Sequence, residues 1–574
     1  MPLAQPDALY QGTTLVGPLR PNKDVGFSPC VEFDQCAPPL ADQLEDKSDS
    51  VTHAPMEKVT KRRYLPYLLF ILCAGLYVLP FMRLLLQTPP EGLLVYGAVR
   101  IVHGQVFARD FFEMVGPGTF YWLALFFKLF GVTFAATRIC LFVTSLVTGL
   151  AMYFLSRRVC SRYQILPSIL LAATYFGTLW PSISHHTDSN CFALLSVACM
   201  IVWWDRHKSA LLFVAGALAG ATTCFLQQKG VLLLLALLVW LWILRRGKST
   251  LLSSLGAVAA GYTSVIAVVL VYFWGHHALW DLFYANVLWP SQHYSAVNVV
   301  PYAHDLIGGC WDHFVVAKNG FRWTIVTASI LIVPFLFVAV LPALLPALAG
   351  RSIRNKVRPE IVLFWLCGIA VWLSEFHRKD IFHLVFGSPL LIILCIYYLE
   401  QYRAKLADLA LQVLAISATC LAGFNLFLSL SARPTATRVG SVAVFKNIPG
   451  LTTLEEKARP GEEIFAYPYC PIYYFLSATV NPTRYGGLLY NFNTPAQFND
   501  VVRALEQRRV RYVLWDTHFQ AKEVPTLFPA SARIPGGAMI IEPYLQSHYK
   551  VVWADADTRL LERTTERQGE GHAN

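Results

Sequence analysis

Asp110 and Glu113 stand three residues apart in the stretch Phe107 to Trp122, FARDFFEMVGPGTFYW, with Arg109 beside them and a Gly-Pro-Gly break directly after. Their spacing puts both carboxylates on one side of a short turn. Carboxylates held this way act as general bases toward a hydroxyl or an amine. Glu91, in PPEG, is a third acid just upstream. Three more short stretches are dense in functional groups: SHHTDSN (184–190) with His186 and Asp188, QQKG (227–230) with Lys229, and EFHRKDIFH (375–383) with Arg378, Asp380 and His383. Cations such as Lys229 and Arg378 tighten on a phosphate as negative charge develops on it. Further carboxylates and His can orient a substrate or hold a divalent cation, Mg or Mn, doing the same work. Each residue also has a plainer reading. Arg378 and Lys379 can anchor a helix end at a membrane surface, Asp188 can be the N-cap of the helix that follows it, and Glu91 can be a first-turn acid.

The elements that must position these residues are set by composition. The chain is 55% hydrophobic and 14% charged over 574 residues, against roughly 25% charged in a soluble domain. Most of it must therefore have a bilayer as solvent. Runs of about 20 apolar residues are needed to cross one. Eleven candidates fall near 64–86, 136–155, 165–183, 189–204, 210–226, 230–244, 251–273, 324–348, 360–376, 381–400 and 408–430. The net charge of +11 sits in short clusters between these runs: Lys61-Arg62-Arg63, Arg157-Arg158, Arg206/Lys208, Arg245-Arg246, Arg351 to Arg358 and Arg403/Lys405. That is the positive-inside pattern of a multi-pass protein, and it argues against nucleic acid as the partner. With the N-terminus cytoplasmic, every cluster falls inside. Residues 1–62 read as a disordered cytoplasmic tail, and 63–430 as a transmembrane domain with a long first outer loop, 87–135. All four functional stretches then lie at the outer surface. Thr119 to Phe130 is apolar but too short to span, and reads as a helix lying in the outer interface. The thirteen Cys show no metal-binding spacing.

Residues 431–574 have a different texture. EEIFAYPYC and VRYVLWD read as strands, and TPAQFNDVVRALEQRR reads as a helix with Thr494 as N-cap. The expectation is a small α/β domain on the outer face. Intramembrane and surface-gathered ionisable groups default to a functional site. A carboxylate base and phosphate-holding cations at a membrane surface suit a donor that is itself a lipid, which describes sugar transfer from a polyprenyl phosphate.

The stretch from Pro89 to Ile139, PPEGLLVYGAVRIVHGQVFARDFFEMVGPGTFYWLALFFKLFGVTFAATRI, resembles the first outer loop of GT-C glycosyltransferases, most of all family-39-like enzymes related to protein O-mannosyltransferases and the lipid A aminoarabinose transferase. In that family an acidic pair opens the loop and an acidic/Pro motif precedes a short helix ending in LFG. Here Glu91 matches the second acid, and Pro90 stands where the first would be. Glu113 in EMVGPG resembles the acid of the second motif, whose phosphate-contacting Lys is missing. Asp188, Lys229, HRKDIFHLVFGSPLLIIL and the YPYCPIYYF…VRYVLWD region resemble later family features, so the likeness covers roughly 63–520. The resemblance implies a mainly α, GT-C-type bundle of about eleven spans with a small α/β extracytoplasmic C-terminal domain. It implies inverting transfer from a polyprenyl-phosphate sugar to a lipid, glycan or protein acceptor, among membrane lipids of a plasma (inner) membrane, with the C-terminus periplasmic or extracellular. Glu91 or Asp110 is then the base, Lys229 and Arg378 stabilise the leaving phosphate, and Glu113, His186 and Asp188 orient sugar or metal, with Asp380 and His383 in the same late motif. Two other readings stand beside this one. A lipid or glycan transporter requires ionisable groups near the midplane, and a non-catalytic scaffold requires that the acids be dispensable.

Overall fold

The computed structural model describes residues 56–86, 89–174, 181–244, 248–294, 358–378, 381–401, 405–519, 524 and 538–564. The expected span 324–348, the expected tail up to residue 55, and Asp380 lie outside the described residues. The chain runs α1 (Met56–Val78), a 3₁₀ turn (Leu79–Arg83), α2 (Pro89–Val102), α3 (Gly118–Phe130), α4 (Phe134–Val159), α5 (Leu166–Thr174), α6 (His185–Arg206), α7 (Ser209–Phe225), α8 (Gln227–Leu244) and α9 (Lys248–Gly275). A short α10 (Leu279–Phe283) continues into π-helical turns at Tyr284–Leu288 and Pro290–Tyr294. Then come α11 (Pro359–Leu373), α12 (Ile381–Gly387), α13 (Pro389–Gln401) and α14 (Lys405–Leu430).

Among the described residues, six helices are long and apolar enough to cross a bilayer: Tyr64–Arg83, Phe134–Val159, His185–Arg206, Gln227–Leu244, Ser249–Gly275 and Lys405–Leu430. The protein is a multi-pass membrane protein. Several expected spans are shorter than their apolar runs. The run 381–400 divides at Ser388, because Pro389 offers no N–H to continue α12; Ile392 N instead donates to Ser388 O at 2.9 Å. α3, the segment too short to span, is a 13-residue helix of about 20 Å. It buries Phe120, Leu123 and Phe127 and packs against α2. α7 packs closely on both α6 and α9. A Cβ on Gly216 would lie 2.0 Å from Val258 O, and one on Gly261 would lie 1.9 Å from Phe213 O. The two helices touch backbone to backbone there, the small-residue packing that lipid-solvated helices use.

After α14 the chain changes to α/β. A hairpin, β1 (Arg433–Thr437) with β2 (Gly440–Val444), is followed by α15 (Leu451–Lys457), β3 (Ile464–Tyr467), α16 (Ile472–Leu476), α17 (Pro495–Gln507), β4 (Tyr512–Asp516), α18 (Ile541–His548), β5 (Tyr549–Ala554) and β6 (Thr558–Arg563). The sheet order is β3-β4-β6-β5, with β3 parallel to β4 and the other pairs antiparallel. β3 and β4 are the two strands read from the sequence, buried as alternation-free apolar runs. α17 begins with a capping box, Thr494 with Gln497.

This α/β region is joined to the first long loop through backbone hydrogen bonds. Phe112 N donates to Arg484 O at 2.8 Å, Leu85 N to Ala443 O at 2.8 Å, and Phe134 N to Val439 O at 2.9 Å. Arg100 donates to Thr483 O at 3.0 Å and to Asp110 O at 3.0 Å. Gly92 approaches α16 so closely that a Cβ would fall 2.5 Å from Ile472 N. Residues from Arg62 onward form one compact unit.

Candidate active site

Several termini meet at one end of the helix bundle. The N-termini of α6 and α8, the C-terminus of α11, the start of α12, the loop between α2 and α3, and the segment 486–493 of the α/β region enclose a cavity of about 600 Å³. Glu113, His185, His186, Arg378, His383 and Tyr469 are among its lining residues. Among the described residues, those of the four functional stretches that reach a cavity do so at this one end, which does not favour the transporter reading.

Glu113 is the acidic residue of the first loop that lines the cavity. Burial raises its carboxyl well above the ordinary carboxylate range, with Arg100 pulling the other way. Its position is fixed on two sides. Asn286 donates to its backbone carbonyl at 3.2 Å. Gly486 lies so near that a Cβ there would stand 2.6 Å from Glu113 Oε1 and 2.6 Å from Leu93 Cδ1. Gly486→Ala is therefore expected to push the carboxylate aside. A displacement near 1 Å at a reacting group costs up to about 10²-fold in rate, and the α/β fold should survive. Turnover compared with the unfolding midpoint checks this; a wild-type rate would mean that Glu113 tolerates displacement. Tyr469, on the α/β side, feels both Glu113 and Arg378, though burial is the larger influence and raises its phenol. Glu113, Tyr469 and Arg378 thus form the polar wall of the cavity.

The structure places the two expected bases away from this cavity. Glu91 is 1% exposed and absent from the cavity lining. Its Oε1 accepts from Arg138 Nη1 at 2.5 Å and from Ile183 N at 3.1 Å. The Arg138 guanidinium lies 4.4 Å from the Phe134 ring centroid. Glu91 is a buried clamp between α2, α4 and the chain entering α6. Asp110 is also off the cavity. Its carboxylate accepts from Arg109 at 2.9 and 2.8 Å and from Val106 N at 2.6 Å. The Arg109 hydrogen bond keeps that carboxyl below its usual range, against a smaller opposing effect of burial. It closes the turn that carries Glu113.

Lys229 also departs from expectation. It is fully buried, with Nζ 2.7 Å from Glu375 Oε1 and 2.8 Å from Asn190 Oδ1, so it does not face the cavity. Asp188 is buried, and its Oδ2 accepts from Thr119 Oγ1 at 2.9 Å. It tethers α3 to α6. The N-cap of α6 is Ser184, whose side chain accepts from His186 N, so the helix begins before Asp188. His186, Arg378 and His383 do line the cavity. Two residues within EFHRKDIFH were passed over: Glu375, behind the wall, and His377, on it. Their signal was the density of functional groups in a turn that needs only one or two. Burial, reinforced by His383, pushes the His377 imidazole down to about 4. His186 and His383 stand 4.9 Å apart edge to face, and His377 and His383 5.3 Å. No three His, Cys, Asp or Glu among the described residues are arranged to hold a metal ion.

A second, apolar pocket of about 660 Å³ adjoins the cavity and shares Gln227 and Asn286 with it. It is lined by Ile266, Val269 and Leu270 of α9 and by Leu282, Phe283 and Val287.

The arrangement has a GT-C-type fold. The chain is similar to the apo structure of ArnT from Cupriavidus metallidurans, with a TM-score of 0.51 at 12% identity, covering 88% of this chain and 98% of that one. A structure of the oligosaccharyltransferase AglB from Archaeoglobus fulgidus, in complex with an inhibitory peptide and a dolichol-phosphate, aligns with a TM-score of 0.47 at 12% identity, over 88% of this chain and 75% of that one. More particularly, residues 114–274 match the family described as dolichyl-phosphate-mannose-protein mannosyltransferase, a match over less than half of the chain. No curated protein matches the chain significantly.

Proposed function

We propose that this protein is an integral membrane glycosyltransferase that moves a sugar from a polyprenyl-phosphate donor to a lipid, glycan or protein acceptor. The observation that carries the reading is the meeting of Glu113 and Arg378 in one cavity beside an apolar pocket. The polar cavity takes the sugar and phosphate, and the apolar pocket takes the first isoprene units of the lipid. Glu113 accepts the proton of the acceptor hydroxyl or amine. A carboxyl raised by burial is a stronger base than a solvated one, and its pKa moves toward working pH. Arg378 holds the phosphate, and its charge counts for more as the leaving oxygen becomes anionic. The sugar is released from phosphate as the acceptor attacks its anomeric carbon from the Glu113 side. The match with the mannosyltransferase family and the GT-C fold support the reading. The positive-inside pattern supports a cytoplasmic N-terminus and an outward-facing cavity. The membrane is then the plasma (inner) membrane. A divalent cation would add charge at the phosphate, and Arg378 already supplies a cation there.

The test is transfer of radiolabelled sugar from a panel of polyprenyl-phosphate sugars in proteoliposomes, with and without chelator. Label must appear in an extracted lipid, glycan or protein with at least one donor. Translocation of intact donor without transfer would instead establish the transporter. The same assay reads pH dependence. Glu113 must be ionised to accept a proton, so kcat/KM should rise with pH through a limb displaced upward from the ordinary carboxylate range. A rate flat from pH 5 to 8, on the order of the range where such a limb falls, would remove Glu113 from the base role.

A further inference from the structure

Behind the cavity wall, three ionisable side chains form a chain of contacts that the transfer reaction as described does not use. Lys229 Nζ lies 2.7 Å from Glu375 Oε1. Glu375 in turn meets His186 Nδ1, at 3.2 Å through Oε1 and 3.0 Å through Oε2. Lys229 and Glu375 are both fully buried, whereas His186 reaches the cavity. Asn190 completes the lysine's shell and is itself pinned by a 2.7 Å hydrogen bond to Phe386 O. Phe386 stacks on the His186 ring at 4.9 Å and 7°. The imidazole is fixed in its plane by that ring and in its rotation by Glu375.

Charge counting gives the arrangement a purpose. A buried carboxylate beside a lone histidine draws a proton onto it, making an imidazolium. Here Lys229 already balances Glu375. The carboxylate then needs only a hydrogen-bond donor from the histidine, which Nδ1–H supplies. The tautomer follows: Nδ1 carries the proton, and Nε2 keeps its lone pair. Among the described residues Nε2 has no hydrogen-bond partner, and His186 lines the cavity.

We propose that Lys229 and Glu375 are positioning residues that hold His186 neutral, with its Nε2 lone pair turned to the cavity as the acceptor for a sugar hydroxyl of the donor. The hydroxyl assignment rests on the glycosyl-transfer reading; the protonation state does not. The groups facing His186 are His185 on α6, Lys229 on α8, Glu375 and His377 after α11, and His383 on α12. Glu375 attracts a proton to His186, and Lys229 cancels that attraction.

Diethyl pyrocarbonate reacts with neutral imidazole and is small enough to enter the cavity. The extent of modification at His186, read by peptide mass spectrometry with fragmentation to separate it from His185, gives a midpoint in pH for the full-length protein in detergent. Two single variants are expected to move it in opposite directions. Lys229→Met leaves Glu375 balanced only by His186, and the midpoint should rise by about one unit or more, the size of an uncompensated neighbouring charge. Glu375→Gln leaves Lys229 facing the ring, and the midpoint should fall. The double variant should return it toward wild type. A collapse of packing predicts shifts of one sign in both. An unmoved midpoint, or shifts of the same sign, overturns the proposal, and either single variant alone decides if the other fails to fold. In the transfer assay, His186→Phe should raise the donor KM about tenfold, as loss of one hydrogen bond to a substrate hydroxyl does, with a smaller change in kcat. Absence of transfer with every donor would count against the glycosyltransferase reading while leaving the midpoint shifts to judge the charge balance at His186.

Discussion

Glu113→Gln is expected to lower sugar transfer by about 10²–10⁴-fold, the range that general-base removal covers, with the amount of folded protein unchanged. The amide keeps the size of the side chain, and so its fit against Gly486 and Leu93. It also removes the cost of charging a buried carboxyl, so the unfolding midpoint should stay level or rise. KM for the donor should change little, because the carboxylate acts on the acceptor. Single-turnover transfer with donor saturating reads the chemical step directly. A variant that turns over at the wild-type rate would show that another group takes the proton, and Asp110 would be the next carboxylate to test.

Glu91→Gln should behave in the opposite way. Glu91 and Arg138 are 1% and 3% exposed, and a buried ion pair that loses one partner costs about 3–5 kcal/mol, because the other charge stays buried and unbalanced. That is a large share of the stability of any domain. The expected outcome is a large fall in folded protein and in thermal midpoint, with the surviving folded fraction still transferring sugar, at a rate well above that of Glu113→Gln. Glu91→Gln with Arg138→Met removes both charges and should recover much of the midpoint. A Glu91→Gln protein that is fully folded yet inactive would restore Glu91 to the chemistry.

The contrast between these two acids shows what the sequence carried and what it did not. The strands Ile464–Tyr467 and Tyr512–Asp516 and the helix after Thr494 were legible because each depends on local chemistry: apolar β-rich runs and a capping box. The short helix Gly118–Phe130 was legible from its length alone. His186, Arg378 and His383 could be gathered at one surface because the positive-inside pattern orders the loops. The base could not be chosen that way. Glu91, Asp110 and Glu113 lie within one loop, and what each meets differs: Asp110 is taken up locally by Arg109 and Val106, whereas Glu91 pairs with Arg138, 47 residues on, and Glu113 is set against Gly486 of the α/β region. Lys229 looked like a phosphate cation because it stands at a helix end. Its pairing with Glu375, 146 residues later, is tertiary information. The break before Pro389 follows from proline's missing N–H, yet an apolar run does not show on which side the helix resumes.

The hydrogen bonds that tie the first loop to the α/β region impose an order on biogenesis. Phe112 is synthesised early and Arg484 some 370 residues later, which at about 5–20 residues per second is a delay of tens of seconds. Throughout that interval the nascent chain holds a loop bearing Glu113 whose backbone partners do not yet exist. The loop gains those partners only when the last part of the polypeptide has been made and folded. A ribosome that stops after α14 therefore leaves inserted helices without an assembled cavity, so an incomplete chain has no finished site before synthesis ends.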